Sequence, residues 1–398
     1  MDFKDLLVEF DRFGVRYALL GGYAVGHHSK PRATSDRATE ARQMSAIADA
    51  ARQNIADTLA IALEHTHAQT ALVIADEGCE LSRLLIRAYQ ACLPEARLLL
   101  FEAAGTVAVK AAFAELREHD LVVLIQSSVF RIPEFRTRVE LFRRGIKVIE
   151  HSNLERMAAH EVEHYVAALA YDPTYYRGVG HGLKARMDVS ASARIESEGE
   201  LLHFDCRLEP AKLNIGHFAG LKNVGSLFPI GEVFSEACDL ECVHGRVKIY
   251  AFTDTSFRLN VPESPITLLI ERGRVVGTLD SSADFAQVLA AIRADEGEVW
   301  LRELGFGMNR AFSRERRVAD VGAFERVCGV HLSLGARHGV YKKPHLDRRE
   351  ARHHVDTFVV TSRVLLDDQV VYVEGAWQVA DATRSDSPVT LARAVDGD

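Results

Sequence analysis

Apolar strands that alternate with helices constrain the fold of this chain more than any other feature. The segments between the strands have helical spacing, and an alanine-rich amphipathic helix from Arg37 to about His67 precedes the first one. Strands that are apolar throughout lie in parallel sheets covered on both faces. The sequence therefore predicts a doubly wound, Rossmann-like α/β domain over 37–184. Its strands are TALVIADE (70–77), LLLFE (98–102), DLVVLIQSS (120–128) and GIKVIEHS (145–152).

The alternation ends near residue 185, where a different pattern begins. Stretches such as MDVSASARIES, RVKIYAFT and VVTSRVLLDDQVVYVEGAW have period-2 or apolar character, and turns such as ERGR and LDDQ separate them. This pattern is typical of antiparallel β structure. We expect a second, α+β domain over 185–380 with one helix at 283–295, followed by a flexible polar tail over 381–398.

Composition and charge exclude several classes of protein. The 398 residues carry a net charge of −8 with interspersed signs, which indicates neither a nucleic-acid partner nor an anionic membrane surface. No apolar run reaches the roughly 18–20 residues that span a bilayer, and no secretory signal is visible. The six cysteines lack CxxC spacing, which disfavours a disulfide framework or a Cys-rich zinc site. A cytoplasmic protein is expected.

The stretch GGYAVGHHSKPRATSD (21–36) resembles the start of nucleotidyltransferases of the polymerase-β superfamily. In that family a glycine turn cradles the triphosphate and a DxD pair binds two metal ions. Gly21, Gly22 and Asp36 fit this pattern, but Ala38 stands where the second carboxylate is required. We therefore interpret residues 1–36 as a truncated nucleotidyltransferase-like segment without catalytic function.

Candidate metal ligands are concentrated in four short stretches of the second domain. His354 and Asp356 are two residues apart, so on a β-strand their side chains share one face and can reach one ion. His331 can supply a third ligand from a neighbouring strand. Taken singly, such residues are more often solvated strand ends or satisfied core groups. The stretches are FPIGEVFSE, LRELGFGMN, GVHLSLG and HHVD, and they contain Glu232, Glu303, His331, His354 and Asp356.

The order GEVF, ELGFGMN, VHLSLG, a tyrosine and HxD resembles the M29 metallo-aminopeptidases and the related 2,5-dihydroxypyridine dioxygenases, over most of 40–375. The resemblance implies an M29-like mixed β domain, a homodimer and catalytic roles for Glu303 and Tyr341, with the tyrosine hydroxyl near the scissile carbonyl. It also implies a site for two divalent ions (Zn, Mn, Co or Fe) that activate a bridging water. The implied ligands are Glu232, Glu303, His331, His354 and Asp356.

The same residues leave a second chemistry open. His331, His354 and Asp356 alone form a 2-His-1-carboxylate set, the ligand type that holds ferrous iron for oxygen chemistry. Ligand identity therefore permits both a hydrolase and a ring-cleaving dioxygenase.

A basic stretch, ARHGVYKKPHLDRREARH (336–353), departs from the M29 pattern. Cations beside a metal site raise the cost of binding a second metal ion and favour an acidic peptide or a carboxylate. The sequence GVHLSLGARHGVYKKP, followed by RHHVD, most resembles the corresponding sequence of the peptide-binding proteins of crocagin biosynthesis. That resemblance implies capture of a precursor peptide for a separate tailoring enzyme. The expected function is therefore that of a peptide-binding protein that also holds a metal. The residues expected to contact the peptide are Arg337, Lys342, Lys343 and Arg352. Arg348 and Arg349 belong to the same basic stretch.

Overall fold

The computed structural model describes residues 33–132, 136–218, 220–346 and 350–379. The chain divides into the compact units Met1–Ala50 and Ala51–Asp398, and the second unit contains both sheets and the candidate site. The glycines of the nucleotidyltransferase-like segment lie outside the described residues, and Asp36 lies in the first described helix. None of the helices in the described ranges combines the length and apolar character needed to cross a bilayer.

Eight α-helices and nineteen strands are formed by the described residues. The helices are α1 (Ala33–Asp57), α2 (Glu80–Cys92), α3 (Phe101–Glu115), α4 (Thr137–Arg143), α5 (Val162–Ala168), α6 (Pro173–Val189), α7 (Ala283–Glu296) and α8 (Val321–Phe324). The strands up to the middle of the chain are β1 (Ala71–Ala75), β2 (Arg97–Leu100), β3 (Leu121–Ile125), β4 (Lys147–His151), β5 (Ala193–Ser197), β6 (Glu200–Phe204), β7 (Lys212–Asn214), β8 (Gly225–Leu227) and β9 (Glu232–Ser235). The later strands are β10 (Val243–Thr253), β11 (Leu259–Asn260), β12 (Ile266–Glu271), β13 (Arg274–Leu279), β14 (Leu301–Gly307), β15 (Gly329–Leu334), β16 (Val355–Val359), β17 (Arg363–Leu366), β18 (Gln369–Val373) and β19 (Ala376–Trp377).

Sheet A is parallel and has five strands in the order β2-β1-β3-β4-β8. β1, β3 and β4 lie within the predicted apolar runs, β2 overlaps its run at residues 98–100, and every residue of β1 and β3 is buried. Leu72, Ile74, Val122 and Val148 of these strands share a buried cluster with Phe113 of α3. Burial of such side chains contributes roughly 1.5–3 kcal/mol each. The prediction of a parallel sheet in an α/β arrangement is confirmed.

Helix α3 begins earlier than the segment near 107–118 that the sequence predicts. It follows β2 directly and is interrupted at Gly105, whose φ of +69° lies in the left-handed region. Glycine adopts this conformation without a steric penalty, so the chain changes direction there between two helical stretches. The predicted helix corresponds to the second stretch.

Sheet B has fourteen strands, and all of its pairings are antiparallel. The main path runs β19-β18-β17-β5-β6-β10-β16-β15-β14-β9-β7, with β11 and β12 also paired to β10, and β13 to β12. Helix α7 lies where the sequence predicts it, and the Ser282 hydroxyl caps it by accepting a hydrogen bond from the Phe285 amide. The antiparallel β structure expected beyond residue 185 is confirmed.

Strand β8 connects the two sheets along the chain. It pairs in parallel with β4 through Val148 and Gly225, although it follows residue 184, where the sequence places the end of the first domain. Any Cβ at Gly225 would lie 1.9 Å from the Val148 carbonyl oxygen, so only glycine permits this approach. Sheet A therefore contains one strand from the later part of the chain. Glu232 of sheet B follows Leu227 by five residues.

Candidate metal centre

Four neighbouring strands of sheet B, β9, β14, β15 and β16, carry the candidate site. The register places Gly307 opposite Glu232 and Gly305 opposite His331. Directly opposite residues of an antiparallel pair point to the same face, and so do residues two apart on one strand. Glu303 lies in a β-bulge between Leu301 and Leu304, and its carboxylate is directed at the same group as Glu232 and His331.

Gly305 provides the space for the imidazole ring of His331. A Cβ at this position would lie 2.0 Å from the His331 Nε2 atom. Real Cβ atoms do not approach that closely, and a side chain here would displace the ring. The glycine of the ELGFG stretch is thus a steric requirement of the site.

Glu232, Glu303 and His331 bring one ligand atom each within 4.8 Å of one another, and all three residues are buried. The His331 Nε2 atom lies 3.2 Å from Glu232 Oε1 and 3.4 Å from Glu303 Oε1. Two donors at about 2.1 Å from a shared ion are about 3.0 Å apart at a right angle and about 3.4 Å apart at the tetrahedral angle. Both the spacing and the donor types therefore fit one divalent ion.

The charges of this group are strongly coupled. Burial acts to lower the pKa of His331, but its hydrogen bonds to the two carboxylates outweigh burial and raise that pKa to about 10. Burial acts to raise the pKa of Glu303, but the hydrogen bonds from His331 and His338 hold it well below its usual value. In the absence of a metal the group is thus an ion-paired cluster, and a divalent ion would replace the proton on His331 Nε2.

Arg326, which the sequence does not single out, supplies a fixed positive charge beside the group. Its Nη1 atom lies 2.5 Å from Glu232 Oε2 and 2.8 Å from Glu325 Oε1, and its side chain is buried. Burial outweighs the lowering effect of Arg326 and, with smaller contributions from Glu232 and Asp356, raises the pKa of Glu325 to about 8. Arg326 therefore occupies one oxygen of Glu232 and leaves Oε1 facing His331.

His338 is the second functional residue that the sequence does not single out. Its Nδ1 atom accepts hydrogen bonds from the backbone amides of Val340 and Tyr341, at 3.0 and 3.2 Å. The ring proton must then be on Nε2, which donates to Glu303 Oε2 at 2.8 Å. His338 thus fixes the orientation of Glu303. Its only sequence signal is its place three residues before Tyr341.

His354 and Asp356, the remaining predicted ligands, pair with each other. His354 Nε2 lies 3.2 Å from Asp356 Oδ1, and Asp356 is buried whereas the His354 side chain is 26% exposed. Burial acts to lower the pKa of His354, but Asp356 outweighs it and raises that pKa to about 10. Among the described residues, three of the five predicted ligands form one metal-type group, and the other two form a separate pair.

Tyr341 is buried, and its hydroxyl is engaged by the backbone. It donates to the Pro210 carbonyl oxygen at 2.8 Å and lies 3.3 Å from the Phe234 carbonyl oxygen. Burial raises the pKa of this hydroxyl. These contacts fix the ring of Tyr341 against β9, beside His338.

The four basic residues expected on a peptide occupy different environments. The Lys343 ammonium is buried, lies 2.8 Å from Glu209 and 3.1 Å from Glu236, and therefore faces away from solvent. Arg337 and Lys342 are exposed and line a cavity of about 310 Å³. Arg352 is exposed, lies 4.0 Å from Asp295 and is not part of that lining. Arg348 and Arg349 are outside the described residues.

No protein-family model and no curated protein matches the sequence. Among solved structures, the fold is similar to 2,5-dihydroxypyridine dioxygenase from Pseudomonas putida KT2440, with a TM-score of 0.55 and 13% identity over 84% of this chain and 97% of that chain. It is also similar to wild-type AmpT from Thermus thermophilus, with a TM-score of 0.52 and 13% identity over 83% of this chain and 99% of that chain. AmpT is an M29 aminopeptidase. The structural relationship expected from the sequence is thus confirmed at the level of the fold.

Proposed function

We propose that this protein binds one divalent metal ion through Glu232, Glu303 and His331 and hydrolyses an amide bond at that centre. The observation that carries the proposal is the convergence of these three donors on one sheet face, in a fold similar to that of AmpT. A divalent ion in this position would polarise a carbonyl oxygen and lower the pKa of a water molecule.

The protein's own side chains have separable roles in the proposal. Arg326 and His338 hold the outer oxygens of Glu232 and Glu303, so the inner oxygens stay directed at His331. Hydrogen-bonded groups behind the ligands commonly fix ligand orientation in this way. His354 is the most exposed titratable group beside the cluster and can exchange a proton with solvent, while Asp356 holds its ring.

The donor set favours hydrolysis over ring cleavage. The dioxygenase alternative requires His331, His354 and Asp356 to converge on one ion, but in the described residues His331 groups with two glutamates instead. Zinc, manganese or cobalt suits two carboxylates and one imidazole. Ferrous oxygen chemistry is therefore the less favoured reaction.

Capture of a peptide without cleavage is the second candidate function. The exposed cations Arg337 and Lys342 favour it, because they line a cavity that His338 shares with the metal group. Presentation of the peptide to a tailoring enzyme and assembly as a homodimer belong to this proposal, and light scattering checks the assembly.

Metal content measured by mass spectrometry after loading with zinc, manganese, cobalt or iron tests the proposal. We expect about one equivalent in the wild type and loss of that metal in Glu303→Gln, since a neutral amide replaces a carboxylate ligand. Glu271→Gln, which removes an exposed carboxylate at the end of β12, is the matched control and should retain the metal.

Activity assays then separate the candidates. Metal-dependent release of amino acids from amides or short peptides, lost in Glu303→Gln, supports hydrolysis. Oxygen uptake with iron-loaded protein and a dihydroxypyridine would indicate the dioxygenase. A metal content below a tenth of an equivalent, with neither reaction, would leave only the binding function.

A further inference from the structure

All charged side chains that line the cavity beside the metal group, among the described residues, are arginine or lysine apart from the imidazole of His338. Five of its lining residues are arginine or lysine, and no described lining residue is aspartate or glutamate. Its volume of about 310 Å³ suits a small chemical group and not a folded partner. The five cations are Arg136, Arg302, Arg337, Lys342 and Lys343.

Two of these cations are already neutralised inside the protein. Arg302 lies 2.8 Å from Glu236, and Lys343 lies 3.1 Å from Glu236 and 2.8 Å from Glu209. These ion pairs fix the inner wall of the cavity. They do not supply free positive charge.

The other three cations are exposed at the mouth of the cavity. Arg136, Arg337 and Lys342 form no ion pair with any carboxylate in the described ranges. Three cations around one concave space repel each other, and an anion between them relieves that repulsion. Guanidinium groups match the planar geometry of a carboxylate in particular.

His338 connects this cavity to the metal group. Its ring lines the cavity, and its Nε2 atom donates to Glu303 Oε2 at 2.8 Å. A carboxylate bound among the three cations would therefore be separated from the Glu303 ligand by one imidazole ring. A substrate that occupies both the cavity and the metal group would carry a carboxylate a short distance from the amide bond that is hydrolysed.

We infer that this cavity is a carboxylate-binding site, and that it selects substrates or ligands that carry a free carboxylate near a peptide bond. The carboxylate is either an acidic side chain or a chain terminus, since the two have the same chemistry. The substrate role rests on the proposed hydrolysis, whereas carboxylate binding does not.

Three capped peptides distinguish the sources of the carboxylate. Acetyl-Ala-Glu-Ala-amide carries it on a side chain, acetyl-Ala-Ala-Ala carries it at the terminus, and acetyl-Ala-Gln-Ala-amide carries none. Calorimetric titration of the purified protein should show binding of at least one carboxylate peptide about tenfold or more tighter than the glutamine peptide. Equal affinity for all three, or no binding of any, would overturn the inference.

Charge reversal locates the binding. Arg337→Glu and Lys342→Glu should each weaken binding of the carboxylate peptide about tenfold, because each replaces a cation of the cavity by an anion. Arg352→Glu is the matched control: it reverses an exposed charge of the same segment outside the lining, and should change affinity less than twofold. If Arg352→Glu lost as much affinity for the carboxylate peptide, the effect would be one of general surface charge, and binding in the cavity would be contradicted.

Titration of these peptides, together with a hydrolysis assay on them, separates this inference from the proposed function. Carboxylate binding that persists in protein without metal and without hydrolysis supports the cavity and rejects the hydrolase. Hydrolysis that proceeds equally on the glutamic acid and glutamine peptides supports the hydrolase and rejects the cavity as its specificity site.

Discussion

His151 and His331 are both completely buried, but their surroundings give them opposite properties. His151 ends β4 of sheet A and lies between the hydroxyls of Tyr89 and Tyr165, each 2.8 Å from one ring nitrogen. Burial lowers the pKa of His151 to about 3. His331 lies between two carboxylates, which raise its pKa to about 10 in spite of burial. Burial alone therefore does not determine the charge of an inner histidine, because its hydrogen-bond partners decide it.

The difference separates a structural histidine from a reactive one. The neutral ring of His151 joins two tyrosines, and Tyr165 in turn donates to the carbonyl oxygen of Phe228, which directly follows β8. The ring of His331 faces negative charge and can exchange its proton for a metal ion. Changes around the two histidines should therefore have effects of different kind and size.

Gly305→Ala should abolish the reactive arrangement of His331. The added methyl group would lie where the His331 Nε2 atom is. We expect metal affinity to fall at least a hundredfold and the free energy of unfolding to fall by about 3 kcal/mol, as for other overpacked cores. Titration calorimetry and urea unfolding measure the two effects.

Gly277→Ala is the control for that change. It lies in β13, where the nearest atom to an added Cβ is in the flexible Leu269 side chain at 3.3 Å. Metal affinity should be unchanged. Wild-type metal affinity in Gly305→Ala would show that His331 is not held where we describe it.

Acid should destabilise the protein through His151. Its pKa is about 3 when folded and about 6.5 when unfolded, so the unfolded state binds more protons between these values. The stabilising contribution is complete above pH 6.5 and is lost as the pH falls towards 3, which amounts to about 2.5 kcal/mol between pH 7 and pH 4.5. Urea unfolding of the wild type and His151→Gln at both pH values isolates it, since glutamine does not titrate.

Nuclear magnetic resonance gives an independent measurement if His151→Gln does not fold. The ring signals of His151 should not titrate between pH 7 and pH 4.5. A midpoint near 6.5 would contradict the buried neutral ring.

His338→Ala should lower metal affinity about tenfold while the fold is retained, because Glu303 loses the donor that orients it. The absorption spectrum of the cobalt-loaded protein should change as well, since the ligand field depends on the position of Glu303. His338→Gln should restore part of the affinity, because its amide can donate in place of Nε2.

His353→Ala is the matched control for His338. His353 belongs to the same segment and pairs with Asp295 at 2.7 Å, away from the ligands. It should leave the cobalt spectrum unchanged. An unchanged spectrum in His338→Ala would reduce His338 to a packing residue.

Tyr341→Phe should have the smallest effect. The hydroxyl bonds backbone oxygens, so its removal should cost about 1 kcal/mol of stability and leave metal affinity unchanged. Urea unfolding and calorimetry check both. Loss of hydrolysis without loss of stability would instead assign the hydroxyl to the reaction.

Local patterns account for the parts of the fold and site that the sequence predicts. The apolar runs of β1, β3 and β4 determine their strands, because continuous burial needs only local composition. Glu232, Glu303 and His331 are found because they occur in recognisable stretches. His354 lies just before β16 and Asp356 lies within it, and their side chains contact each other.

Long-range partners explain what the sequence does not predict. Lys343 is expected to contact a peptide, but Glu209 and Glu236, more than 100 residues earlier, pair with it inside the protein. Arg326 belongs to the site through Glu232, 94 residues away. His338 belongs to it through Glu303, 35 residues away. These contacts join residues that are far apart in the sequence, so the residue pattern of a short segment does not reveal them.

The strand β8 makes the two sheets interdependent in a way that truncation would reveal. A fragment that ends at residue 184 would leave the β4 edge without its parallel neighbour, and unpaired strand edges promote aggregation. Conversely, unfolding of sheet A would displace the short segment that joins β8 to Glu232. We therefore expect the unit Ala51–Asp398 to melt cooperatively, with no heat-stable half that preserves either sheet alone.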